Sequence, residues 1–341
     1  MMRIVYYAHH HGSGHRHHAR RLQESGVAQV VTVGAAGTDH PLPPDVDPTR
    51  PHRQDPHSPF HWTPTNRAVQ RRFAELHRVL LDVEPDLVMV DVSVEAAVFC
   101  HLAGFPVAHR LMPGDRADAA HQLAYASAAG LFAYYPHALQ SPGFEWENKT
   151  AWIGMLDESP TGQASLVEPR TVAVLSGAGG DGVPVDELVR AARTRPHEQW
   201  HVLGPTLGSA DHTSLPANLH LHGWVDDPRD LLSRAELVVC GAGHNTIATV
   251  AGLRRPALVI PEERPHREQE AFAERLSEAL GQPTAPSWHT VDWTSAVTRP
   301  GDPDLLARGL LVGANEYRER LRHFLQGCLP TPPPPGVTIA A

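Results

Sequence analysis

Cysteine is scarce: three residues in 341, far apart at Cys100, Cys240 and Cys328. An odd, widely spaced set offers neither a disulfide framework nor a zinc site, and two of the three fall in segments that read as core. Reduced thiols and a cytoplasmic location are expected. No apolar stretch approaches the ~20 residues that a membrane helix needs. No basic run stands out, and the net charge is −9 with histidine neutral, so nucleic acid is not an expected partner. The chain enters an apolar strand almost at once, at Arg3-Ile4-Val5-Tyr6-Tyr7, without the pattern of a secretory signal. Asp-x-Asp sequences that could hold a nucleotide-bound cation occur at Asp45/Asp47 and Asp302/Asp304, in proline-bearing loops and away from strand ends. No metal and no cofactor are expected.

Histidine and proline are abundant, at 24 and 32 residues. Six of the histidines (His9, His10, His11, His15, His17, His18) crowd one turn, but neighbours at a strand end point to opposite faces and cannot all converge on an ion. The chain is long enough for two cores, and strands alternate with helices twice over. The first half offers strands near 3–8, 28–33, 86–91, 105–110, 131–135 and 150–153, with helices near 14–24, 64–83, 94–103 and 116–129. In the 64–83 helix, Thr63 reads as the cap and Pro64 as the first helical residue, with Val69, Phe73, Leu76, Leu80 and Val83 as the apolar stripe. The second half repeats the scheme with strands near 171–176, 199–203, 219–222, 236–240 and 256–260.

This pattern predicts an α/β protein of two doubly wound, Rossmann-like domains facing each other across a cleft. The first spans 1–156, a linker 157–170, and the second 171–312. A helix at 313–328 and a disordered, proline-rich tail at 329–341 complete the reading. The proline-rich stretch 41–64 lacks periodicity, is too long for an ordinary connection, and stands as a candidate acceptor-binding loop.

Three glycine turns between strands and helices carry the chemistry. The first is His11-Gly12-Ser13-Gly14-His15, the second Ser176-Gly177-Ala178-Gly179-Gly180-Asp181, and the third Gly241-Ala242-Gly243-His244-Asn245-Thr246. Helix N-termini carry unpartnered N–H groups and positive potential, so such turns suit phosphate. His15, at the mouth of the cleft, is of the side-chain type best suited to a general base near neutral pH.

The third turn is followed by Ile260-Pro261, His266, Glu268 and Gln269. Together they resemble the donor-binding half of GT-B glycosyltransferases, in the branch containing the peptidoglycan UDP-N-acetylglucosamine transferase (family 28). The resemblance covers residues 172–281 and, through the glycine–histidine turn, 3–25. It implies a metal-independent, inverting glycosyltransferase with His15 as base. The donor, implied to be a UDP-sugar, would meet Gly12, Gly14, Ser176, Gly177, Gly179, Gly180, Gly241, Gly243, His244, Asn245 and Thr246 near its diphosphate. Trp224 and Val225 would lie near the base, although a strand-end tryptophan is as readily an ordinary core residue. Glu268 and Gln269 would hold the sugar. The position often occupied in this family by a ribose-binding Glu is Thr249, whose hydroxyl could hold ribose or bond back to Asn245. The acceptor is an unidentified hydroxyl compound, with peripheral membrane contact if it is lipid-linked. Two other readings of the same scaffold are a sugar-nucleotide hydrolase or epimerase and a non-catalytic sugar-nucleotide sensor or partner subunit.

Overall fold

The computed structural model describes residues 1–9, 14–46, 58–61, 65–159, 166–177, 179–180, 182–208, 215–295 and 301–329. The first half is built on seven parallel strands: β1 (Arg3–Ala8), β2 (Gln29–Gly34), β3 (His40–Pro41), β4 (Leu87–Val90), β5 (Val107–Arg110), β6 (Gly130–Ala133) and β7 (Thr150–Trp152). In space they run β3-β2-β1-β4-β5-β6-β7. Between them pass α1 (Gly14–Ser25), α2 (Arg67–Val83), α3 (Val94–Leu102) and α4 (Ala119–Ser127). A short strand, β8 (Met155–Leu156), follows.

Alternate strand residues point to opposite faces. Val5, Tyr7, Val88 and Val90 meet Leu76, Leu80 and Ala97 on one side of the sheet. Ile4, Tyr6, Met89 and Phe132 pack with Leu22 on the other. Each fully buried aliphatic or phenyl side chain contributes ~1.5–3 kcal/mol of transfer free energy, which is what holds unbroken apolar strands inside. The start of α2 differs from expectation. Its cap is Asn66, whose side chain accepts from the N–H groups of Ala68 and Val69, and the helix begins at Arg67. Thr63 and Pro64 lie outside the described residues. The α4 helix likewise starts late, at Ala119, because Asp118 caps it.

The second half has β9 (Glu168–Leu175), β10 (Val183–Pro184), β11 (Gln199–Leu203), β12 (Thr206–Leu207), β13 (Leu219–Gly223), β14 (Ala235–Cys240) and β15 (Ala257–Val259). Five of these form a parallel sheet ordered β13-β11-β9-β14-β15, and β10 pairs with β12 beside it. Helices α5 (Val185–Thr194), α6 (Arg229–Arg234), α7 (His244–Leu253), α8 (Glu268–Leu280) and α9 (Pro303–Leu310) cover it. The chain then pairs β16 (Leu311–Val312) with β8 and runs into α10 (Ala314–Gly327). Tyr317, Leu321, Phe324 and Leu325 of α10 pack with Phe132 and Ile153 of the first half. β9 begins at Glu168, so the last residues read as linker are already strand. All three cysteines are free and buried.

Each sheet has one place where neighbouring strands send their connections in opposite directions. In the first it lies between β1 and β4, in the second between β9 and β14. At such a switch point the loops part and leave a crevice beyond the carboxyl ends of the strands, the usual ligand position in open α/β sheets.

Candidate active site

At the first switch point, His15 enters on the opening turn of α1 and Asp91 follows β4. Seventy-six positions apart in sequence, they are neighbours because β1 pairs with β4. His15 Nδ1 lies 3.0 Å from Asp91 Oδ2. The contact is close, but Nδ1 stands outside good hydrogen-bond alignment, as often in catalytic pairs without ligand. Asp91 is fully buried and takes a hydrogen bond from the Tyr6 hydroxyl (2.8 Å) and an ion pair from Arg110 (2.8 Å). Burial alone would raise the Asp91 carboxyl; Arg110, His15 and Tyr6 together hold it well below the usual carboxylate range. A buried, charged carboxylate beside Nδ1 orients the ring, leaving the opposite Nε2 edge for a reacting group. Side-chain exposure of 17% keeps His15 accessible.

Val92 turns the chain sharply after Asp91. Its φ is +73°, and the Ser93 N–H bonds the Asp91 carbonyl across it at 3.0 Å. A β-branched residue in that region, spanned by a bond two residues apart, is the strained γ-turn and costs about 1–3 kcal/mol. Strain of this size, next to a buried charged pair, indicates that the position of Asp91 is enforced by its surroundings.

At the second switch point the turns after β9 and β14 lie side by side. Ser176 is buried, and its hydroxyl has no hydrogen-bond partner among the described residues. Thr246 Oγ1 lies 3.5 Å from where a Cβ on Gly243 would sit and 3.9 Å from one on Gly177, so this hydroxyl stands between the turns. Gly243 caps α7 without side-chain help, and among the described residues no side chain bonds to the first amides of the helix. Its φ of −65° makes no demand for glycine; what matters is the missing side chain. Gln269 is buried, and its Oε1 accepts from the N–H groups of Ala242 (2.9 Å) and Glu262 (3.0 Å). It braces the turn, with its Nε2 toward Gly243.

The two switch points meet. A Cβ on Gly14, at the start of α1, would lie 2.7 Å from Asn245 Nδ2, at the start of α7. Two positive helix ends therefore point into one crevice.

Other expected site residues are placed differently. His244 sends its side chain across the cleft, where Nε2 donates to the Tyr134 carbonyl at 2.8 Å and the ring meets that of His18. Burial pushes it down to about 3, so it is neutral. Glu268 Oε2 pairs with Arg116 of the first half at 2.8 Å. Thr249 lines a small pocket with Glu158, Ser159 and Arg229 beside the linker. Trp224 is no core residue: it is 63% exposed, with Nε1 donating to Asp226. Val225 is partly buried against the central core. Gly12 and much of the 41–64 loop lie outside the described residues.

The sequence reading missed Asp91, Arg110, Glu262 and Arg264. Glu262 reaches over Gly180, where any Cβ would collide with its carboxylate, and lies 3.4 Å from a Cβ position on Gly241. Arg264 pairs with Glu262 at 2.7 Å and donates to the Gly179 carbonyl, strapping this segment across both turns. Asp118, His121 and His266 bring three potential ligand atoms within 4.8 Å across the cleft. Both His121 nitrogens are already engaged, Nδ1 by Asp118 (2.6 Å) and Nε2 by Arg116 (3.2 Å).

Comparison with known proteins agrees with this geometry. Residues 201–284 match the family model of the glycosyltransferase family 28 C-terminal domain. Across nearly its whole length the chain superposes on the glycotransferase of kitacinnamycin, with a TM-score of 0.65 and 16% identity over 96% of this chain and 99% of that one. The chain has the GT-B fold, and a segment of its second half is similar to the family 28 C-terminal domain. An uncharacterized glycosyltransferase of Methanosarcina mazei is 25% identical over 119 residues, 35% of this chain and 31% of that protein. The UDP-N-acetylglucosamine–N-acetylmuramyl-(pentapeptide) pyrophosphoryl-undecaprenol N-acetylglucosamine transferase of Anaplasma marginale is 33% identical over 76 residues, 22% of this chain and 21% of that protein. The chain thus spans less than a third of the length of either curated relative. The family 28 segment holds the Gly241–Thr246 turn and the brace Gln269, whereas His15 and Asp91 lie in the part of the GT-B fold outside it.

Proposed function

We propose that the chain is a metal-independent, inverting glycosyltransferase that moves a sugar from a nucleotide-sugar donor, of the UDP-sugar type, to an acceptor hydroxyl. The observation that carries the reading is the meeting of a buried-carboxylate histidine at one switch point with an uncapped, glycine-lined helix start at the other. In the reaction, His15 Nε2 takes the acceptor O–H proton as the oxygen forms its bond to the anomeric carbon. The bond from that carbon to the donor phosphate breaks on the opposite side, and the nucleoside diphosphate leaves with the electron pair. Amides at the start of α7 take up the charge on the leaving group, the kind of fixed-dipole stabilisation that usually dominates catalysis. Asp91 holds the imidazolium formed at His15.

Incubation with a panel of UDP- and TDP-sugars, with and without candidate acceptors and with EDTA throughout, tests the reading. Slow nucleotide release that an acceptor accelerates, unaffected by EDTA, is expected. A strict requirement for magnesium or manganese removes the helix-terminus mechanism, and fast release without acceptor makes the protein a hydrolase.

A further inference from the structure

The segment 113–121 of the first half faces His266 of the second across the cleft, and the two backbones are locked together there. The Asp115 N–H donates to the His266 carbonyl at 2.6 Å, and any Cβ on Gly114 would collide with that carbonyl. His266 and Arg267 both stand in the left-handed region, at φ of +61° and +51°. Residues other than glycine keep that conformation where their surroundings enforce it.

The lock brings an imidazole from each half to one carboxylate. His121 and His266 meet edge to face with ring centroids 4.9 Å apart, and with Asp118 they offer three ligand atoms within 4.8 Å of one another. Asp118 divides its carboxylate between two tasks. Its Oδ1 caps α4 by accepting from the N–H groups of Ala120 and His121, while Oδ2 faces His121 Nδ1 at 2.6 Å. His266 Nδ1 lies 3.2 Å from the Asp115 carbonyl. Donation there keeps the proton on Nδ1 and leaves Nε2 as the ligand nitrogen, the outer-shell arrangement usual for a metal-bound histidine. Local charge also suits a cation. Arg116 is matched by Glu268, and Arg267 by Glu274 and Asp115, whereas Asp118 pairs with no Arg or Lys among the described residues.

We propose that Asp118, His121 and His266 hold a zinc ion that clasps the two halves across the cleft. Two neutral imidazoles and one carboxylate form a zinc ligand set with a fourth position for water. The ion takes no part in transfer at His15, and its binding is independent of the transferase reading. One contact gives way to it. A guanidinium has only donors, so Arg116 Nη1, 3.2 Å from His121 Nε2, keeps the His121 proton on Nδ1. For Nδ1 to bind zinc, that proton passes to Nε2 and Arg116 withdraws. Zinc and the Arg116–His121 hydrogen bond are alternatives, which makes Arg116 a competitor of the ion.

Zinc titration of the full chain, followed by calorimetry and by melting temperature, tests the clasp. One tight site that raises the melting temperature is expected. His266→Ala, at an exposed position, should weaken it by at least about tenfold, and His266→Cys, which supplies a thiolate instead, should retain it. Arg116→Met should tighten it several-fold, which a site elsewhere would not do. The absence of a tight site overturns the proposal, as does affinity unchanged in both His266→Ala and Arg116→Met. His222→Ala examines the competing histidines of the second sheet, where His201 Nδ1 and His222 Nε2 are 3.0 Å apart. Loss of the tight site in that variant assigns the zinc to them and sinks the clasp.

Discussion

The pairing of His15 with Asp91 makes a double-mutant prediction. Asp91 and Arg110 are 0% and 3% exposed, so Asp91→Asn leaves a buried guanidinium without its counter-charge. Breaking a buried pair from one side costs ~3–5 kcal/mol, and melting should fall on the order of 10 °C. His15→Ala breaks a contact at the cleft surface and should cost only about 1 kcal/mol of stability. Activity should order the other way. Removing a general base lowers turnover by roughly 10²–10⁴, about 2.7–5.5 kcal/mol of transition-state stabilisation. In the proposed mechanism Asp91 acts through His15, so Asp91→Asn should lower kcat, and the double variant should be no slower than His15→Ala alone. Donor affinity should stay near normal in all three. Single-turnover rates at low temperature, where Asp91→Asn remains folded, measure the cycle. Multiplicative losses would mean that Asp91 acts independently of His15. Normal turnover with lost donor binding in His15→Ala would make His15 a ligand contact.

Two further outcomes follow from buried and charged groups near the cleft. Burial pushes His109 down to about 3 and His121 to about 4, and holds His18 well below its usual range. Their folded values lie below the unfolded value of 6.5, so the unfolded chain takes up the extra protons; this stability is complete above pH 6.5 and is lost as pH falls toward 4. Each histidine loses ~1 kcal/mol between pH 6.5 and 5.5, and a melting temperature flat across that range would show that these groups titrate normally. Glu262→Gln should tighten nucleoside diphosphate binding about tenfold, ~1.4 kcal/mol, by removing a carboxylate from the glycine turns; weaker binding in calorimetry would make Glu262 a ligand-holding residue instead.

Much of the architecture was legible because parallel strands buried on both faces read as short apolar runs, as Leu237–Cys240 does. The two-residue strands β3, β12 and β16 are too short to show any period, and the start of α2 was misjudged because two plausible caps stand three residues apart. The glycine turns were legible as turns. Where their neighbours point was not. Asp91 is an acidic residue after a strand, an ordinary sight in any sequence, and only the β1–β4 pairing brings it to His15. The side-chain contacts of Glu268 with Arg116 and of His244 with the Tyr134 carbonyl were likewise invisible, because a motif names positions and not the partners across the cleft. For Trp224 the sequence left a place near the base and a place in the core equally open, and the edge of the sheet leaves it outside the core.

The return of α10 to the first half has a consequence for biosynthesis. Ile153 and Phe132 leave the ribosome well before Tyr317, Leu321 and Phe324, the residues that cover them. At ~5–20 residues per second, the 161 positions from Ile153 to Ala314 take roughly 8–30 s to translate. Throughout that interval the nascent first sheet holds an apolar strip with no covering helix, while the second sheet folds between the strip and its eventual cover. The two halves are therefore not independent folding products, and the first to be made is the last to be finished.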